Sequence, residues 1–121
     1  MGRRKSNKRA FTVTVEGRPK PKGRPRLGRG GRVFTPKATI EFENHIRDSY
    51  LHASGPLYDT PVDVSIVYTR AETEITITPL GDHKTTLVAD VDNLIKATLD
   101  GLQGAAFLND RLVHRVTAVK Q

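Results

Sequence analysis

Residues 90–110 read DVDNLIKATLDGLQGAAFLND, and their division into loop, helix and turn organises the reading of the whole chain. Asp92 and Asn93 are both residue types that open helices, and Leu94, Ile95, Thr98, Leu99 and Leu102 recur at helical spacing. Gly101 and Gly104 then stop the pattern, so a short helix is predicted here. Asp90 and Asp92 lie two residues apart, so in extended chain before the helix they project to one side and can converge on one cation. Hard carboxylate oxygens suit Mg²⁺ or Mn²⁺, and magnesium needs only one or two protein carboxylates when water and phosphate complete its shell. Asp110, beyond the small-residue turn, is the expected third ligand, or the group that recruits a second ion. Lys96, one helical turn past Asp92, is placed to orient a nucleophile or to stabilise charge developing on phosphate. A plainer alternative exists for each: Asp92, Lys96 and Asp100 also suit a solvated ladder of i, i+4 ion pairs, and Asp90 and Asp92 suit a loop and a helix cap.

Upstream of this stretch the apolar pattern changes period. Phe11, Val13 and Val15 alternate with polar residues as in a half-buried strand, which Gly17 ends. Residues 17–32, GRPKPKGRPRLGRGGR, interleave three prolines and five glycines with Lys and Arg, and a looping cationic segment without regular structure is expected. Thr35 and Pro36 form a helix-opening pair, followed at helical spacing by Phe42, Ile46, Tyr50 and Ala53, before Gly55 and Pro56. Val62, Val64, Ile66 and Tyr68 mark a second strand, and Ile75 and Ile77 a third that ends by Pro79 and Gly81. The segment 82–89 is expected as a loop. Downstream, the β-branched run from Leu112 to Val119 predicts a final strand. The order β, loop, α, β, β, α, β indicates a mixed α/β (α+β) fold, with two main helices and a mixed sheet of about four strands.

With 121 residues the chain has room for one modest core, so a single domain over 11–121, including a basic loop at 17–34, is expected behind a basic tail at 1–10. There is no cysteine, which excludes a disulfide framework and a thiolate zinc site; any metal must be held by oxygen or imidazole. His45, His52, His83 and His114 form no recognised zinc spacing and read as surface residues. No serine lies in a nucleophile elbow. No apolar run is long enough for a signal or membrane segment, so a soluble intracellular protein is expected. The net charge of +7 is unevenly spread: residues 1–37 hold thirteen Lys and Arg against the single acid Glu16, while residues 38–121 hold seven against twelve acids. A basic arm of this density points to nucleic acid as the partner. Lys20, Lys22, Arg24 and Arg26 are the candidate phosphate contacts, a solvated loop being their alternative. Phe34 and Tyr50 are candidates for stacking on exposed bases, although Tyr50 falls on the apolar stripe of its helix.

The ordered series D-x-D-N-L-x-K, L-D-G-L and N-D between Asp90 and Asp110 resembles the signature of the RusA endodeoxyribonucleases, a family of Holliday-junction resolvases. The stretches PKPKGRPRLG and FTPKATIEFE are also similar to the family's N-terminal half, so the resemblance covers most of the chain. It implies that Asp90, Asp92 and Asp110 are catalytic, metal-binding carboxylates, that Lys96 is the catalytic lysine and that Asn93 fixes the turn. It further implies a mixed α/β fold, a homodimer, a magnesium requirement with Mn²⁺ as substitute, and paired incision of four-way DNA junctions. The setting it suggests is recombination and repair at the nucleoid, in the cytoplasm of a bacterium or of a phage-infected host. Two positions depart from the family pattern. Asn109-Asp110 stands where the family has paired aspartates, and Val88-Ala89 precedes Asp90 where proline often does. The rival readings are a non-catalytic basic nucleic-acid-binding protein and a degenerate resolvase.

Overall fold

A computed structural model describes residues 9–23 and 26–121, with Arg26 and Arg29 described in their backbone alone. The chain divides into two compact units, Met1–Asp82 and His83–Gln121. In the first unit the strands are β1 (Phe11–Glu16), β2 (Arg26–Leu27), β3 (Val33–Phe34), β4 (Val62–Tyr68) and β5 (Glu72–Pro79), with helix α1 at Lys37–His52. The main sheet has the order β1-β5-β4, and β2 and β3 form a separate two-stranded ribbon.

Alternation along the strands explains the sheet. Phe11, Val13 and Val15 lie opposite Ile77, Ile75 and Thr73 of β5, and these in turn lie opposite Val64, Ile66 and Tyr68 of β4. Directly opposed residues share a face, so one side of the sheet is a continuous apolar surface and the other holds Thr12, Thr14, Thr76 and Glu74. Thr12 and Thr76 hydrogen-bond across that polar side at 2.9 Å. Helix α1 packs on β1, where the rings of Phe11 and Tyr50 meet edge to face at 5.4 Å. Val13, Val15 and Thr73 are buried, whereas Val64, Ile66 and Tyr68 on the edge strand stay exposed. The core is therefore thin and centred on β1.

Local chemistry places α1. The Tyr50 hydroxyl donates to the Pro56 carbonyl, and its ring lies so close to Gly55 that a Cβ there would stand 2.3 Å away. The His45 ring bonds the Glu16 carbonyl at 2.7 Å, tying the helix to the end of β1. At the other end Pro36, rather than Thr35, occupies the N-cap.

The described residues between 17 and 34 are more ordered than their composition suggests. The Gly23 N–H donates to the buried Thr39 hydroxyl at 2.8 Å, and Lys22 pairs with Glu43 at 2.6 Å, one helical turn further along α1. Beyond this strap the chain forms the ribbon, with Arg26 opposite Phe34 and Leu27 opposite Val33. Gly30 and Gly31 turn its tip at φ +74° and +78°, backbone that side-chain-bearing residues rarely adopt. The expectation of no regular structure at 17–32 is thus corrected: apolar residues on each side of a glycine-rich tip suffice to close a short hairpin.

The second unit is built around helix α2, Val91–Leu102. It begins earlier than expected, with Asp90 rather than Asp92 or Asn93 at the N-cap. Gly104, at φ +86°, turns the chain after it, and a short 3-10 turn follows at Asp110–Leu112. The expected strand at 112–119 does not form, and every strand pair in the main sheet is antiparallel, so three strands stand where a mixed sheet of about four was expected. Branched residues favour extended backbone, but a strand also requires a partner ladder. Residues 83–121 supply side-chain bonds instead: Lys120 Nζ donates to the Ala89 carbonyl at 3.1 Å, and Thr85 Oγ1 to the Gln121 carbonyl at 3.1 Å. The His83 ring bonds the Lys120 carbonyl. The mixed α/β class stands.

Candidate active site

Asp90 sits at the head of α2 in extended conformation, with Asp92 in the first turn and Lys96 one turn further. All three are exposed. Acids at a helix N-terminus are favoured by the helix dipole, which accounts for their local tolerance. It does not account for their idleness. The Asp90 side chain makes no capping bond. Among the described residues no ion pair joins Asp92, Lys96 and Asp100, so the ladder that would make this stripe merely structural does not form.

Asp110 opens the 3-10 turn, placed there by its neighbour. The Asn109 Oδ1 accepts the Arg111 N–H at 2.9 Å, capping the turn. Aspartate would serve the same cap, so Asn at 109 preserves the local geometry while removing one negative charge. Asn109 thus acts on the position of Asp110.

The carboxylates divide into a pair and a single. Asp90 and Asp92 are separated by Val91 alone, while no group of three or more His, Asp or Glu side chains among the described residues is close enough to hold a metal ion. Two exposed, uncommitted carboxylates fit the hard, sparsely liganded Mg²⁺, whose remaining positions go to water and phosphate. Asp110 does not join them in this arrangement.

Of the candidate DNA contacts, Lys20 is exposed and Lys22 is engaged with Glu43 while its side chain remains 72% exposed. Arg26 lies in β2, and Arg24 falls outside the described residues. The ribbon, the strap to α1 and the Asn109 cap all escape composition-based reading. The alternation of Leu27 with Val33-Phe34 around R-G-G is the signal that marks the ribbon.

A chain with an acid pair at a helix head, a lysine one turn on, and a strongly basic N-terminal region has the residue classes of a phosphodiester-processing protein. The model of the family Endodeoxyribonuclease RusA matches residues 16–121, nearly the whole chain, and the protein belongs to that family. No curated protein and no solved structure matches it. Membership indicates a nuclease enzyme acting on DNA. Among the described residues no helix is long and apolar enough to cross a membrane.

Proposed function

We propose that the protein is a Mg²⁺-dependent endodeoxyribonuclease that resolves Holliday junctions by paired hydrolysis of phosphodiester bonds. The observation that carries this reading is the family match across residues 16–121, which includes the whole D-x-D-N-L-x-K stretch. Asp90 and Asp92 hold the cation, with Mn²⁺ as a substitute, and Asp110 is the third acid of the site. A cation held there supplies Lewis acidity at the phosphoryl oxygen. Lys96 stabilises the negative charge that develops on phosphate, and no ion pair among the described residues engages its ammonium. Lys20, Lys22, Arg24 and Arg26 contact the sugar-phosphate backbone, which positions the DNA without specifying sequence.

The working unit is a homodimer, whose two-fold axis matches the symmetry of a four-way junction and presents two equivalent sites to opposing strands. The exposed apolar row on the edge strand β4 offers surface for self-association. Recombination and repair in a bacterial or phage-infected cytoplasm, at the nucleoid, is the setting that such a substrate implies.

One observation favours a second reading. Asp110 does not gather with Asp90 and Asp92, as in a degenerate resolvase or a binding protein that keeps the fold without efficient catalysis. Single-turnover cleavage of a four-way junction by wild type, Asp90→Asn, Asp110→Asn and Asn109→Asp separates the two. Loss of cleavage by Asp90→Asn and Asp110→Asn supports the enzyme. An inactive wild type that Asn109→Asp restores supports degeneracy.

A further inference from the structure

Leu27, Val33 and Phe34 are 76%, 66% and 49% exposed, an apolar group on the most basic part of the chain. No acid occurs between Glu16 and Glu41, while Arg24, Arg26, Arg29 and Arg32 surround the ribbon in sequence. Phosphate binding needs the cations alone. The apolar side chains therefore require their own partner, and it must lie within reach of phosphates.

Register defines the shape of this group. Leu27 and Val33 are directly opposed and share one face of the ribbon, and Phe34, the next residue, falls on the other. Phe34 lies over Gly28, where an added Cβ would stand 3.5 Å from its ring, and Arg32 lines the same shallow concavity. A ribbon with apolar residues on each of its two faces suits insertion between two apolar surfaces. The chain before it is tied to α1 by the Gly23–Thr39 and Lys22–Glu43 contacts, and its tip is narrowed by Gly30 and Gly31.

We propose that the β2–β3 ribbon is a wedge that enters the open centre of a branched DNA, with Leu27 and Val33 against one exposed base-pair end and Phe34 against another. Arg32 takes a flanking phosphate. The base faces of a linear duplex are stacked and closed, so the wedge supplies selection of the branch, whereas the Lys and Arg side chains bind either DNA. This inference rests on the junction-binding reading above.

The chain contains no tryptophan, so Phe34→Trp creates a single indole, excited apart from the three tyrosines, that keeps an aromatic ring in place. In EDTA, its emission is expected to be quenched by a synthetic four-way junction and not by a linear duplex of equal length. Phe34→Ala is expected to lose about 5- to 150-fold in junction affinity, the range typical of one base–aromatic stack, with duplex affinity unchanged. If wild type prefers the junction while Phe34→Ala keeps the same preference and the reporter stays unquenched, the wedge is overturned and the junction reading survives. If wild type neither prefers nor cuts the junction, that reading falls and the wedge with it. A reporter that responds equally to vesicles of anionic phospholipid and to the junction overturns the assignment to DNA bases. Should Phe34→Ala fail to fold by circular dichroism, the reporter variant alone decides.

Discussion

Thr73 places a hydroxyl in the middle strand with 1% of the residue exposed and no hydrogen-bond partner for Oγ1 among the described residues. A buried donor left unsatisfied costs free energy that an isosteric methyl does not, and valine suits a strand equally well. Thr73→Val is therefore expected to stabilise the protein by about 1–2 kcal/mol in urea unfolding. Gly23 behaves oppositely. A Cβ there would stand 2.7 Å from Pro36 Cγ and 2.9 Å from Thr39 Oγ1, so Gly23→Ala must displace the strap from α1. We expect a loss of about 1–3 kcal/mol, read in the same unfolding experiment. At Lys96 the stake is catalytic: Lys96→Met should lower single-turnover cleavage about 10²- to 10³-fold and leave the thermal midpoint unchanged. An equal fall in stability and rate would mean that Lys96 is structural.

At the scale of elements, legibility followed the origin of each signal. Strands β1, β4 and β5 and both helices were readable because each carries an apolar period along its own sequence, as Val13 and Val15 or Leu94 and Leu99 do. The strand expected at 112–119 was not, since β-branched residues fix extended backbone but cannot supply a partner, and here Lys120 and His83 make side-chain bonds in place of a ladder. The ribbon failed in the other direction, because its abundant glycine and proline masked four pairing residues. Within the site, Asp90, Asp92 and Lys96 were legible as a motif on α2, and Asp110 as a motif partner. The bond from Arg111 N–H to Asn109 is a local cap that leaves no mark in the sequence to set it apart from a lost acid.

For the molecule as a whole, charge is the dominant field. With +12 concentrated in the first 37 residues, binding to DNA should be driven by counterion release and should weaken steeply with salt. Six phosphate contacts would lower affinity about 10³-fold between 50 and 200 mM salt, measurable by fluorescence anisotropy. A flat salt response would contradict the basic arm's assignment. The central claim, that this chain cuts branched DNA with a cation held at the head of α2, is tested most directly by one measurement. Purified protein is incubated with a labelled four-way junction or a matched linear duplex, in Mg²⁺ or EDTA, beside Asp92→Asn. The account predicts paired nicks in the junction alone, dependent on Mg²⁺ and lost in Asp92→Asn while junction binding persists. Tight binding without cutting, or cutting that survives both EDTA and Asp92→Asn, would contradict it.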